Sequence, residues 1–142
     1  MKHFYYLLFF FLPYALFSQE NDKPIGFTII EDVPVFPGCT GDSEELKRCM
    51  SNQINKIISE NFNTDVVNGT NLQGKVRIMI QFVIDKNGDV VDLKIEAPHP
   101  FLAAEAERLM RMIPQMRPGR LRGKPVSISY ALPIIFKVQP ED

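Results

Sequence analysis

The sequence predicts a two-layer α+β domain in which two helices cover one face of a three-stranded antiparallel sheet. Two stretches of alternating apolar residues flank an Asn-Gly turn between positions 75 and 97, a pattern that is typical of a β-hairpin. A third alternating stretch lies between positions 126 and 138. Apolar residues at helical spacing precede and follow the hairpin, so the predicted order is helix, strand, strand, helix, strand.

The hairpin is predicted from its two arms and the turn between them. In the first arm, the residues of one parity from Val76 to Ile84 are all apolar. Asp85, Asn87 and Gly88 supply the turn, because Asn and Gly adopt positive φ at little cost. The second arm is expected to direct three side chains toward the core: Val91, Leu93 and Ile95.

Four apolar residues fall on the opposite parity of the strands. They are Met79, Val83, Val90 and Ile135. These residues predict an apolar patch on the face of the sheet that the helices leave uncovered. Such a patch would favour self-association or cover by residues 27–30.

The two helices are predicted from capping and periodicity. Asp42 is placed to cap the first helix, and Glu45 completes a capping box. This helix is expected to end near Asn61. The second helix is predicted over residues 101–113, where Pro114 stops it. Its buried stripe is expected to be Leu102, Ala106, Leu109, Met110 and Ile113, with Glu105, Glu107, Arg108 and Arg111 in solvent.

The last strand contains Pro133, which has no N–H group to donate to a neighbouring strand. Proline inside a strand places that strand at the edge of a sheet. The first arm of the hairpin is therefore predicted to be central, with the second helix as a right-handed crossover to the last strand.

The first residues are typical of a secretory signal, with cleavage predicted near Ser18. The apolar run from Phe4 to Phe17 is shorter than the roughly 20 residues that span a bilayer. An uncleaved membrane anchor is the alternative. We expect residues 1–18 to be the signal, 19–33 a leader segment and 34–142 the folded domain, with the mature protein in the periplasm.

Cys39 and Cys49 are the two cysteines of the chain. Paired cysteines tend to form disulfides in an exported protein, so a Cys39–Cys49 bond is predicted. Closing this short loop is worth about 3 kcal/mol in the chain-entropy model. The alternatives are two buried thiols or a redox-active pair, although the spacing is not Cys-x-x-Cys.

Composition argues against several classes of function. The net charge is −1, so the chain lacks the basic footprint of a nucleic-acid-binding protein. Only two histidines are present, and no nucleophile–base–acid set or glycine-rich phosphate motif is visible. The sequence therefore predicts no enzyme, no metal, no cofactor and no small-molecule substrate.

The candidate binding site is the outer edge of the last strand. Because Pro133 cannot donate, residues of its parity are predicted to point their backbone groups away from the sheet, free to pair with an added strand. These residues are Ser127, Ser129, Ala131, Ile135 and Lys137. A basic loop over residues 117–125 would favour acidic peptides through Arg120, Arg122 and Lys124. Ordinary solvated surface is the alternative interpretation of that loop.

Several stretches resemble the TonB C-terminal domain family, in the forms common in Bacteroidota envelope proteins. They are Glu31-Asp32-Val33-Pro34-Val35-Phe36-Pro37-Gly38, Gly74-Lys75-Val76, Phe82-Val83-Ile84-Asp85-Lys86-Asn87-Gly88, Ala106 to Pro114 followed by Arg117-Pro118-Gly119, and Gly123-Lys124-Pro125-Val126 leading to Tyr130-Ala131-Leu132-Pro133-Ile134-Ile135-Phe136. The resemblance covers residues 31–138 and implies the same two-layer fold. It also implies a link to energy coupling between the inner membrane and outer-membrane receptors, in which a receptor peptide is added to the last strand.

The resemblance implies a periplasmic binding module whose partner is an outer-membrane TonB-dependent receptor or another envelope protein. Neither a Pro-rich spacer nor a retained membrane anchor is recognisable, so energy transduction by this chain alone is not expected. The alternative is a structural or self-associating envelope protein, for example a homodimer, that keeps the fold without receptor binding.

Overall fold

A computed structural model describes Pro24, residues 30–68 and residues 70–139. The predicted signal, its cleavage near Ser18 and most of the predicted leader lie outside the described residues. The helices are α1 (Ser43–Asn61), a short 3₁₀ helix (Thr64–Val67) and α2 (Pro100–Met110). The strands are β1 (Gly74–Ile84), β2 (Val90–Glu96), β3 (Arg120–Leu121), β4 (Lys124–Pro125) and β5 (Ile128–Val138).

The main sheet has the order β2-β1-β5, with β1 antiparallel to both neighbours. Both helices contribute to one core on one face of this sheet, and α2 connects the two outer strands. The predicted two-layer α+β fold and its central strand are therefore confirmed. Among the most deeply buried residues are Ile78, Ile80 and Ile84 of β1, Met50 and Ile54 of α1, and Leu102 and Leu109 of α2.

The turn between β1 and β2 is fixed by local and distant contacts. The Asp85 side chain accepts from the backbone N–H groups of Asn87 and Asp89, each at 2.9 Å. Gly88 has φ of 85°, and a Cβ there would lie 1.7 Å from the Met116 carbonyl oxygen. Glycine is thus required both by the turn and by the chain that crosses it.

A β-bulge changes which residues of β2 face the core. The register shifts between Gln81 and Val83 of β1, and Asp92 on β2 has φ of 53°. Beyond the bulge, Val90 packs against the core while Val91 pairs with Val83 on the helix-free face. The predictions for Val90 and Val91 were therefore wrong, because one extra residue reverses the parity of everything beyond it.

The start of α1 confirms the predicted cap and disulfide. The Asp42 side chain accepts from the N–H groups of Glu44 and Glu45 at 2.9 Å, and the Glu45 carboxylate accepts from the Asp42 N–H. Cys39 and Cys49 are joined, with their Cα atoms 5.9 Å apart. The bond ties the segment before α1 to the second turn of the helix.

The second helix departs from its prediction in two ways. It ends at Met110, and a turn through Arg111 leads to Ile113, which only partly packs on the core. Glu105, expected in solvent, is buried with 5% of its surface exposed. Glu105 lies three residues after Leu102 and four before Leu109, and the Asn63 N–H, 42 residues away, donates to its carboxylate.

The predicted basic loop contains a small hairpin, β3–β4. Its turn residues Arg122 and Gly123 both have positive φ, as a two-residue hairpin requires. Backbone hydrogen bonds join Arg120 to Asp32 and Arg117 to Val35. This pairing begins at the end of the predicted leader, before the predicted domain start at residue 34.

Candidate functional site

The outer edge of β5 is unpaired within the described part of the chain. β5 has eleven residues and is hydrogen-bonded to β1 alone. Its register with β1 runs unbroken from Ile128 opposite Ile84 to Val138 opposite Gly74. Pro133 lies in the middle of the strand, as expected for an edge. The edge therefore presents a long, regular row of backbone groups.

A groove of about 860 Å³ follows the second half of this edge, and we call it the edge groove. One wall is β5 from Pro133 onward, and the opposite wall is the end of α1 together with the chain around the 3₁₀ helix. The lining residues opposite β5 are Asn55, Ile58, Ser59, Phe62, Thr64, Val67 and Asn68. Side chains that point from an added strand toward the helices would enter this groove.

The edge groove is apolar at its base. The rings of Phe62 and Phe136 are in tilted contact, with centroids 5.1 Å apart, and Ile58, which also lines the groove, is buried. Phe62 caps the end of α1, where its N–H donates to the Ile58 carbonyl oxygen. The two walls of the groove thus meet through an aromatic pair of the kind that anchors peptide side chains.

Buried Glu105 and its neighbour Arg108 are hydrogen-bonded to the chain between α1 and the 3₁₀ helix, next to the wall of the edge groove. The Glu105 carboxylate accepts from the Asn63 N–H at 2.7 Å and from Arg108 Nε and Nη2 at 2.8 and 2.6 Å. Arg108 Nη2 also donates to the Asn61 carbonyl oxygen at 2.7 Å. These bonds join α2 to the end of α1 and the start of the 3₁₀ helix.

The hydrogen bonds from the Arg108 guanidinium, helped by the Asn63 N–H, hold the pKa of Glu105 below its ordinary value. Burial acts in the opposite direction but is the smaller effect. Glu105 is thus a charged, fully hydrogen-bonded carboxylate. Sequence reasoning missed it, although its i, i+3 spacing from Arg108 was an available signal.

The structure divides the predicted edge residues into three groups. Ile135 and Lys137 line the edge groove. Ser129 and Ala131 line a second groove of about 710 Å³ on the helix-free face, which we call the face groove. Ser127 precedes β5 and is buried, so its side chain is not presented at the edge.

The three predicted basic residues are exposed but lie elsewhere. Arg120, Arg122 and Lys124 belong to the β3–β4 hairpin and its turn, and none of them lines the edge groove. The Arg122 N–H donates to the Glu31 carboxylate at 2.8 Å. The structure therefore does not bring the basic loop together with the second half of β5.

The predicted patch on the helix-free face is present in part. Val83 is buried there, Met79 is half-buried and Ile135 is 51% exposed. Pro24, from the predicted leader, also lines the face groove beside Val83. Val90 faces the core instead, as described above.

The fold is that of a small, two-layer α+β domain, with an unpaired strand edge beside an apolar groove. Residues 68–138, half of the chain, match the family described as the C-terminal domain of Gram-negative bacterial TonB protein. The chain belongs to the TonB C-terminal domain family, as its resemblance predicted. A comparison with curated proteins found no match.

Membership gives the general role of the domain. Domains of this family interact with outer-membrane receptors and envelope proteins, and the family serves energy transduction and binding. It indicates a location in the cell envelope. Among the helices in the described residues, none combines the length and apolar character needed to cross a membrane.

Proposed function

We propose that this protein is a periplasmic module that captures an extended segment of an outer-membrane receptor or another envelope protein by adding it as a strand to β5. The observation that carries the proposal is the unpaired, regular edge of β5 with the apolar edge groove beside its second half. In strand addition, main-chain hydrogen bonds supply affinity, and pockets for alternate side chains supply specificity.

The unbroken register between β1 and β5 supports the predicted parity of the edge. Pro133 pairs with Met79 without any register shift on either side. Because Pro133 has no N–H, its backbone belongs to the set that faces away from β1. Ser129, Ala131, Ile135 and Lys137 share this parity, and they offer their backbone groups to the added strand.

The adjacent residues Ile134 and Ile135 allow a matched test of this assignment. Ile135→Pro removes an outward N–H, and we expect it to weaken binding at least tenfold with little loss of stability. Ile134→Pro removes an inward N–H and breaks a ladder hydrogen bond to β1, so it is expected to destabilise the domain far more than Ile135→Pro. Alanine variants at both positions separate the loss of the side chain from the loss of the N–H group.

The probe is a labelled peptide of alternating valine and glutamine, and binding is measured by fluorescence anisotropy. A peptide that is N-methylated at alternate backbone positions removes the same hydrogen bonds without changing the protein. Full binding of both the Ile135→Pro variant and the methylated peptide would refute strand addition. No binding of the unmodified peptide, together with a stable dimer in sedimentation, would favour the self-associating alternative.

A further inference from the structure

Three cationic side chains gather on the helix-free face where β1 begins and β5 ends. Lys75, Arg77 and Lys137 are all exposed and have the parity that points away from the helices. Lys75 lies directly opposite Lys137 in the register, and Arg77 lies opposite Ile135. We call these three residues the cationic corner.

The cationic corner is not ion-paired within the described part of the chain, although Arg77 shares a small groove of about 470 Å³ with Glu96. None of its side chains forms an ion pair or hydrogen bond there, whereas several other cations are paired. Like charges directly opposite on neighbouring strands repel and destabilise the sheet. An arrangement that costs stability in the isolated domain is explained if an anionic partner neutralises it.

The cationic corner adjoins the part of the edge that has the groove. Lys137 belongs to the cationic corner, and Ile135 lies beside it, opposite Arg77. Both residues also line the edge groove. Successive side chains of an added strand point to opposite faces of the sheet. One set would enter the apolar edge groove, and the alternate set would lie beside Ile135 and Lys137 on the helix-free face.

We infer that the segment captured by β5 alternates apolar with acidic residues, and that the cationic corner selects the acidic ones. This inference rests on the proposed strand addition and adds the chemical class of the partner. The apolar side chains pack toward Phe62 and Phe136, and the carboxylates lie within reach of the long cationic side chains. The 51% exposed Ile135 gains cover from the same set of residues.

The position of the cationic corner separates it from the basic β3–β4 hairpin. The hairpin cations do not line the edge groove, and the backbone of that segment is paired with residues 31–35. An acidic strand on β5 would therefore meet Lys137 first. Lys75 and Arg77 act from the neighbouring strand, at distances where their attraction is screened by salt.

The test compares two labelled peptides, one of alternating valine and glutamate and one of alternating valine and glutamine. We expect the glutamate peptide to bind about fivefold to tenfold more tightly at low salt, since each exposed ion pair changes an affinity about twofold to fivefold. The preference should shrink as sodium chloride is raised.

Two variants with the same loss of charge locate the effect. Lys75→Gln/Arg77→Gln/Lys137→Gln should abolish the preference for glutamate, which is measured as the ratio of the two peptide affinities, so that a change common to both peptides cancels. Arg120→Gln/Arg122→Gln/Lys124→Gln should leave the preference intact. The first variant should also melt at an equal or higher temperature than the native protein, because it relieves the repulsion between Lys75 and Lys137.

The outcomes distinguish this inference from the proposed function. Equal binding of both peptides would overturn the inference and leave strand addition standing. A preference that is lost in the hairpin variant and kept in the corner variant would overturn it in favour of the basic loop. If neither peptide binds, the proposed strand addition fails, and the inference fails with it.

Discussion

The two edges of the main sheet differ in length, regularity and surroundings. The edge formed by β2 has seven residues, is interrupted by the bulge at Asp92 and carries exposed Lys94 and Glu96. The edge formed by β5 has eleven residues, an unbroken register and an apolar groove beside it. Only Pro133 interrupts its row of donors.

An exposed strand edge attracts other strands, and proteins protect such edges by keeping them short, charged or bulged. β2 combines a bulge with the exposed charged residues Lys94 and Glu96, whereas β5 has an unbroken register with one proline and one exposed cation, Lys137. The contrast indicates that β5 is kept open, since the same sheet shows how an edge is closed. Each prediction below tests one contribution to this difference.

Breaking the Cys39–Cys49 bond is expected to have the largest effect on stability. Reduction should lower the free energy of unfolding by about 3 kcal/mol, measured by urea denaturation with and without reductant. Since Cys49 lies on α1, which forms one wall of the edge groove, amide exchange should rise in α1 more than in β2. The double serine variant is the control, because its stability should not change with reductant. Equal stability of the native protein with and without reductant would contradict the prediction.

Glu105→Gln is expected to destabilise the protein by weakening the bonds between α2 and the chain next to the wall of the edge groove. It removes the charge that binds Arg108, and we expect it to lower the free energy of unfolding by about 1–3 kcal/mol. Glu107→Gln is the matched control on the same helix, because it breaks only an exposed pair with Arg111 and should cost less than about 0.5 kcal/mol. Equal losses in the two variants would show that the buried carboxylate does not hold this wall.

The effect of Glu105 should depend on pH in a defined direction. Its pKa is lower in the folded than in the unfolded protein, so its contribution is complete above the unfolded pKa and is lost as the pH falls through the folded pKa. The stability difference between the native protein and Glu105→Gln should therefore shrink as the pH falls below about 4.3, the ordinary pKa of glutamate. A difference that is constant with pH would exclude this linkage.

Removing the charges of the β2 edge should have the smallest effect on stability but should change association. We expect Lys94→Val/Glu96→Val to alter the free energy of unfolding by less than about 0.5 kcal/mol. The variant should self-associate in sedimentation velocity, because a charged edge has become an apolar one. Lys56→Val/Glu60→Val on the exposed surface of α1 is the control and should not self-associate, since helical backbone groups are already bonded. A monomeric β2-edge variant would show that the Asp92 bulge alone protects this edge.

Much of the fold was predictable because its signals are local. The alternation of β1, the Asn87-Gly88 turn, the Asp42 cap and the position of Pro133 are each decided within a few residues. The Cys39–Cys49 bond was predictable because the two cysteines are close in sequence and the chain has no others. The helices and strands must then pack as one helical layer on one sheet, and few chain topologies allow this packing.

The wrong predictions concern residues whose surroundings depend on how the elements pair and pack and not on the local pattern alone. The bulge at Asp92 exchanged the faces of the sheet on which Val90 and Val91 lie. No feature of the β2 sequence alone marks the extra residue. Glu105 is buried, and the N–H of Asn63, 42 residues away, donates to its carboxylate. Arg120, Arg122 and Lys124 do not line the edge groove, and their predicted preference for acidic peptides stays a prediction.

The sequence by itself determined the class of fold, the edge position of β5 and the absence of a recognisable catalytic set, because periodicity, proline chemistry and residue inventory are properties of the chain. Only the tertiary structure decided where a ligand has room. The edge groove exists because the end of α1 lies opposite β5, and the cationic corner exists because Lys75 and Lys137 become neighbours, although 62 positions separate them in the chain. Such neighbours are set by strand register and helix packing, which depend on the summed burial of the whole core and not on any one segment.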